Sequence, residues 1–343
     1  MTPLRTAMQD QARHCSTLGS PFMAQLCTVL AENLQPGTAL TDRLFTWPGD
    51  VASGTDAVPL RLCAAFHALH LRGRGNLGAV YPPNRVDDDT LWAGIAAAMA
   101  RESDFIDRWI DSPPQTNEVR RSAGLIAGAQ WLTARYALPI HLSELGASGG
   151  LNLMFDRFRL HISGQTYGPE NPALTLRPDW SGGLPPVSTV QVAERRGIDL
   201  NPLDPHDAND RLRLRAYLWA DQPDRLALTD AAIRVATGPV DKGDAIDWLA
   251  TRLTPRPGAL HLIWHSIAWQ YFAPAAQTRG TQLIEAAGAR ATANSPLVWL
   301  SMERDDSGPG AALHLRHWPG DHHVALGRID FHGRWLRWDA PAD

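Results

Sequence analysis

The stretch Pro139–Leu153, PIHLSELGASGGLNL, constrains this chain more than any other. An apolar run, Ile140–Leu145, carries one acid, Glu144, and is followed at once by Gly146, Ala147, Ser148, Gly149 and Gly150. Small residues this dense after a strand-like run predict a strand, a tight turn and a helix start, because glycine enters turn conformations closed to other residues. Such a turn frees backbone N–H groups for a ligand, and an acid at the strand end accepts hydrogen bonds from hydroxyl groups. A nucleotide-like ligand is the first expectation.

On either side of this stretch the periodicity differs. Before it, Phe22, Met23, Leu26, Val29, Leu30 and Leu34 share one helical face, and Leu60, Cys63, Phe66 and Leu69 share another. Leu91, Trp92, Ile95, Met99, Phe105, Ile106, Trp109 and Ile110 make a third, with Asp87, Asp88 and Asp89 at its start. An all-helical domain over residues 1–136 follows, its last helix running from Asn117 to Ala137. After Pro139 strands and helices alternate, with strands over Ile140–Leu145, Val187–Val192, Ala232–Ala236, Ala259–Ile267 and Leu297–Met302. The closing runs Leu313–Trp318, Val324–Phe331 and Trp335–Trp338 read as a hairpin series. An α/β domain over residues 137–343 is expected, its sheet mainly parallel with an antiparallel edge.

Composition removes several classes. Basic residues number 32 against 36 acidic, which does not supply the clustered positive charge that nucleic-acid binding needs. Lys242 is the only lysine, and its setting, GPVDKGD, fits neither a phosphate-binding loop nor a Schiff base. Cys15, Cys27 and Cys63 show no paired spacing, and no apolar run approaches the roughly 20 residues of a membrane span. A soluble protein of the reducing cytoplasm is expected, without nucleic-acid or membrane partners; the residues leave the oligomeric state open.

Three motif readings compete for the central turn. A dinucleotide fingerprint requires GxGxxG, but Ser148 and Leu151 stand where its second and third glycines belong. Gly146–Gly150 also reads GxSxG, a hydrolase nucleophile elbow with Ser148 as nucleophile; that fold needs strands ahead of the elbow, and the preceding segment reads as helical. The third reading fits best. Glu144–Gly150 resembles the acid-x-G-x-G-x-G turn of class I S-adenosylmethionine-dependent methyltransferases, with Ser148 at the middle glycine. Gly197–Pro202, GIDLNP, is similar to the end of their second strand, where an acid, here Asp199 beside Leu200, holds the ribose hydroxyls. The separation of the two elements implies an insertion, a hairpin with a Pro/Gly-rich loop at about 157–186.

The whole chain also resembles a family of uncharacterised bacterial proteins defined as a domain of unknown function. The shared motifs are PPQTNE at Pro113–Glu118, E-x-GAS-x-GLNL at Glu144–Leu153 followed by Asp156-Arg157, G-x-DL-x-PLD at Gly197–Asp204, and His265-Ser266 with Trp269 and Tyr271. That resemblance implies a fold and carries no activity with it.

The methyltransferase resemblance implies a Rossmann-like sheet and S-adenosylmethionine as cofactor, held by Glu144, Gly146, Ala147, Ser148, Gly149, Gly150, Asp199 and Leu200. No metal is expected, because His314, His317, His322 and His323 lack a ligand spacing. Ligands of a doubly wound sheet bind beyond the carboxyl ends of its strands, which selects His265 as a proton acceptor and Ser266, Gln270 and Tyr271 as pocket residues. Gln115, Asn117, Glu118, Arg121 and Asn152 flank the turn in sequence or motif and are expected to line the pocket for a small-molecule acceptor. The helical domain is expected to serve as its lid. A binding protein without chemistry and a serine hydrolase are the alternatives.

Overall fold

Apolar residues three and four apart become helices in the computed structural model, which describes residues 2–340: α1 (Pro3–Thr17), α2 (Pro21–Asn33), α3 (Ala39–Phe45), α4 (Val58–Leu71) and α5 (Asp88–Trp109). Met1 and residues 341–343, the outer ends of the two expected domains, lie outside the described residues. Local chemistry sets the helix starts. Proline occupies the first turn of α1, α2 and α4, where a missing N–H costs nothing. Ser20 accepts from the Met23 N–H and Asp87 from the Thr90 N–H, capping α2 and α5. The faces read from sequence are inward: Leu26, Val29 and Leu30, then Phe66 and Leu69, then Leu91, Ile95 and Ile106 are all fully buried.

The chain divides into two compact units. One runs to Thr116 and takes back His206–Ala227, and the other comprises Asn117–Pro205 with the chain from Leu228 onward. The helix α6 (Ser122–Tyr136), which sequence periodicity groups with the helical part, therefore lies with the sheet. Its glycines allow this: a Cβ on Gly128 would stand 2.8 Å from Leu300 Cδ2, and one on Gly124 3.3 Å from Leu313 Cδ1. The segment that returns to the first unit carries α7 (Ala208–Ala216). His67 of α4 ties it down, its Nδ1–H donating to the carbonyls of Ala216 at 3.1 Å and Leu218 at 2.7 Å.

The second unit holds strands β1 (Ile140–Leu145), β2 (Phe158–Ile162), β3 (Gln165–Tyr167), β4 (Leu174–Leu176), β5 (Asp179–Gly182), β6 (Val192–Asp199), β7 (Val240–Lys242), β8 (Leu260–Ser266), β9 (Leu297–Arg304), β10 (Ala311–Trp318), β11 (His322–Ile329) and β12 (Trp335–Trp338). Helices α8 (Pro223–Val235), α9 (Ala245–Arg252) and α10 (Pro274–Gly288) connect the later ones. Among the described residues, nine strands form one sheet in the order β5-β12-β11-β10-β9-β8-β1-β6-β7, and β3-β2-β4 form a small second sheet. The run β7-β6-β1-β8-β9 is parallel throughout, and β9 to β12 continue it antiparallel. The protein is thus a mixed α/β fold with a large, mostly parallel sheet and an N-terminal helical region. Among the described residues no helix is long and apolar enough to cross a membrane.

Three local expectations are corrected. The second parallel strand is Val192–Asp199 rather than Val187–Val192, and Ala232–Ala236 falls on α8 and its end rather than on a strand. Gly150 is followed by a 3₁₀ segment, Leu151–Arg157, buried throughout Leu151–Phe155, instead of an α-helix. The inserted region does make the β2–β3 hairpin, and it also returns β5 to pair in parallel with β12 at the sheet edge.

Burial lowers the His67 pKa to about 4, with its two carbonyl bonds opposing the shift. Below its ordinary value the unfolded chain takes up a proton that the folded chain refuses, so this residue's stability contribution is lost as pH falls from about 6.5 to 4. That loss amounts to roughly 3 kcal/mol. Thermal or urea unfolding of His67→Gln across this window is expected to show a shallower pH dependence than the parent chain.

Candidate functional site

The order of the parallel strands reverses at β1, with β6 on one side and β8 on the other, and it is beyond the carboxyl ends at such a reversal that open α/β sheets bind ligands. Glu144 on β1 stands in register with Gly197 on β6 and Trp264 on β8. The turn that follows is tightly built. Gly146 and Gly150 have φ of +69° and +68°, and added Cβ atoms would stand 2.6 Å from Ala268 Cβ and 2.8 Å from Val240 Cγ2. Ser148 carries a φ of +52°, a conformation other side chains rarely adopt.

The turn's donors are spent within the chain to a greater degree than the glycine pattern implies. The N–H groups of Gly146 and Ala147 both donate to Ile198 O at 3.0 Å. The Ser148 N–H donates to Asp199 Oδ2 at 2.8 Å, and Asp199 Oδ1 accepts from the Asn201 N–H at 2.9 Å. The Gly150 N–H donates to Ala147 O, and the Leu151 N–H donates to Asn117 Oδ1 at 3.0 Å. Asp199 therefore clamps the turn to the end of β6. Each of its oxygens keeps further acceptor capacity.

Glu144 is in the opposite condition. It is 2% exposed, and its Oε2 has no hydrogen-bond partner among the described residues; the same holds for buried Ser148 Oγ and Trp264 Nε1. Burial pushes the Glu144 carboxyl up to about 8, the charge of Asp199 adds to the rise, and Arg121 opposes it. The Trp264 indole N–H lies near enough to lower the Glu144 pKa without forming a well-aligned hydrogen bond. A buried polar atom left without a full partner costs about 1–3 kcal/mol, and this is the condition of Glu144 Oε2 and Ser148 Oγ among the described residues.

The PPQTNE segment does meet this turn. Asn117 binds Leu151 N–H, Ser122 Oγ donates to Asn152 Oδ1 at 2.6 Å, and Asn152 Nδ2 donates to Glu118 O at 3.4 Å. Glu118 itself accepts from the Arg120 N–H at 3.1 Å. Arg121 reaches across to β8, donating to Ser266 O at 3.2 Å and to Phe331 O at 2.9 Å. Gln115 stays in the first unit, before the division at Thr116. Asp156 pairs bidentately with Arg195 of β6 rather than with Arg157.

His265 ends β8 with both ring nitrogens engaged. Its Nδ1–H donates to Glu303 Oε1 at 2.7 Å, Nε2 accepts the Trp299 indole N–H at 2.7 Å, and Trp269 stacks on the ring at 5.1 Å. Glu303 also accepts the N–H groups of Ala268 and Trp269 at 3.0 Å. Burial raises the Glu303 pKa, the His265 bond and charge lower it, and the net position is below its ordinary value. Both ring nitrogens of His265 are thus occupied, and the proton-acceptor role expected from sequence requires the Trp299 bond to Nε2 to be given up. The imidazole instead anchors the segment after β8. Gln270 Oε1 accepts the Arg304 N–H, while Tyr271 and Leu200 stand exposed past the ends of β8 and β6.

Ser148 Oγ has no hydrogen-bond partner among the described residues, a histidine included. No group of three or more His, Cys, Asp or Glu among the described residues is arranged to hold a metal ion. Ser122 and Trp299 belong to no spaced motif, and only the packing of α6 on the turn and of β9 beside β8 brings them to the site.

The family described as an uncharacterised protein conserved in bacteria, DUF2332, matches residues 5–338. The chain belongs to the DUF2332 family. No curated protein and no solved structure matches this DUF2332 chain.

The raised Glu144 pKa has a consequence for stability. Between its ordinary value near 4.5 and about 8, the folded chain holds a proton that the unfolded chain has released. Stability therefore falls as pH rises through this window, by an amount on the order of 5 kcal/mol. Glu144→Gln, a neutral near-isostere, is expected to match the parent at pH 5 and to melt at a higher temperature than the parent at pH 8.

Proposed function

We propose that this protein binds S-adenosylmethionine at the Glu144–Gly150 turn and transfers its methyl group to a small or medium-sized acceptor. The observation that carries this reading is the buried, partnerless Glu144 Oε2 at the strand-order reversal, beside a glycine turn clamped by Asp199. The parallel order β7-β6-β1-β8-β9 supports a Rossmann-like, methyltransferase-type domain, because two acids then end adjacent strands where an adenosine ligand sits in such folds. The residues fit the cofactor: Glu144 Oε2 and Ser148 Oγ await polar partners, and Asp199 keeps lone pairs for a vicinal diol.

When bound, S-adenosylmethionine supplies an electrophilic methyl group. Glu144 and Asp199 hold the ligand by hydrogen bonds, and the turn, backed by Asn117 and Asn152, fixes its orientation. Arg121, bonded to Ser266 O and Phe331 O, braces the β8 side of the crevice. Rate enhancement comes from holding the acceptor in line with the methyl group and from excluding water. A second reading is favoured by one observation, the fully engaged His265: the protein binds the same ligand without turning it over.

Melting curves with S-adenosylmethionine, S-adenosylhomocysteine, NAD and ATP test the proposal. The first two are expected to raise the midpoint, since a ligand at a hundredfold excess over Kd adds about 2.7 kcal/mol of stability. Glu144→Ala and Asp199→Asn, checked for folding by circular dichroism, are expected to abolish the shift. A midpoint unmoved by both compounds rejects the proposal. Binding without methyl release to any acceptor selects the second reading.

A further inference from the structure

The chain's three cysteines, Cys15, Cys27 and Cys63, sit on three different helices, α1, α2 and α4, and each is at most 1% exposed. They converge at one point in the helical unit. Cys27 Sγ lies 3.7 Å from Cys63 Sγ, Cys15 is hydrogen-bonded to Cys27, and the Gln11 Nε2–H donates to Cys15 Sγ at 3.2 Å. Packing alone does not require this, because small aliphatic side chains fill such a space without placing all three cysteines of a 343-residue chain together. The Cys27 and Cys63 sulfurs need approach only from 3.7 Å to a bond length of about 2.05 Å, a change within the reach of side-chain rotation and a small helix shift.

We propose that Cys27 and Cys63 are an oxidation site, forming an intramolecular disulfide that joins α2 to α4 when the protein meets a hydroperoxide. Cys27 is the sulfur attacked first by oxidant, since it touches both neighbours. Its thiolate attacks the peroxide, an S–O bond forms, the O–O bond breaks, and the leaving oxygen departs with a proton as water or alcohol. Cys63 then attacks the sulfenic sulfur, the S–S bond forms, the S–O bond breaks, and the hydroxide leaves as water with the Cys63 proton. Two thiols lose two electrons and two protons, and one hydroperoxide is reduced. Cys15 also touches Cys27, but the Gln11 N–H bond holds its sulfur, and this favours Cys63, at 3.7 Å, as the partner.

The reaction is slow and accelerates with pH. The bond from Cys15 lowers the Cys27 thiol pKa, but the bond to Cys63 and burial outweigh it and carry it well above the ordinary range. Oxidant enters through local opening of the helices.

The full chain, treated with hydrogen peroxide, then denatured and alkylated, is analysed by peptide mass mapping. The expected result is a Cys27–Cys63 linked peptide with alkylated Cys15, reversed by dithiothreitol, and a higher melting midpoint before reversal. A denatured control separates this from chance pairing. Cys15 and Cys27 are 12 residues apart against 36 for Cys27 and Cys63, so loop closure in the unfolded chain favours the Cys15–Cys27 bond roughly fivefold. Cys15→Ala is expected to keep the native crosslink and Cys63→Ala to lose it; the map of the parent chain decides the matter where a variant fails to fold. The proposal is overturned by three alkylated thiols at peroxide levels that crosslink the denatured chain, by a native Cys15–Cys27 bond, or by sulfinic acid without a crosslink.

Discussion

The hydrogen bond from the Ser148 N–H to the Asp199 carboxylate is the contact on which the candidate site depends. It joins the turn after β1 to the end of β6, two strands separated by the whole inserted region. With Ile198 O accepting from Gly146 and Ala147, the turn is held by β6 at three successive residues. Positive φ at Gly146, Ser148 and Gly150 makes that path available, and the short distances from Gly146 to Ala268 and from Gly150 to Val240 leave no room for larger residues. The turn is pre-organised by its own chain rather than waiting for a ligand to order it.

Two acids at the strand ends, Glu303 part-buried and Glu144 fully buried, show how hydrogen bonding offsets desolvation. Glu303 accepts from His265 and from successive backbone N–H groups, and its pKa sits below its ordinary value. Glu144, more deeply buried, has an oxygen without a hydrogen-bond partner among the described residues and a pKa near 8. Desolvation acts on both, so hydrogen bonding makes the contrast. The interior tolerates Glu144 largely in its neutral form, and a ligand offering donors or positive charge would favour its ionised form.

Much of the fold was legible because burial on one face leaves a period in sequence. The helices α2, α4 and α5, the strands β1, β8, β9 and the closing antiparallel run all carry it. Strand β6 does not, since Val192–Asp199 reads VAERRGID. Its charges are neutralised by distant residues: Glu194 by Arg252 and Arg256, Arg195 by Asp156, and Arg196 by Asp241. A strand whose polar side chains find partners from other elements looks like a loop until those elements are placed. The run after Gly150 fails in the opposite sense, because side chains buried all round carry no helical stripe.

Sequence alone determined that a glycine turn follows an acid-bearing strand and that helices precede it; both follow from short-range spacing and the conformational range of small residues, whereas Asp199 was set beside Glu144 only by the resemblance to methyltransferases. Only the tertiary structure decided that His206–Ala227 returns to the helical unit, that His265 is consumed by Glu303 and Trp299, and that three cysteines meet. Those outcomes rest on hydrogen bonds and packing between residues tens to hundreds of positions apart. Local spacing carries no information about which distant partner will satisfy a buried polar group, and that choice separates an available side chain from an occupied one.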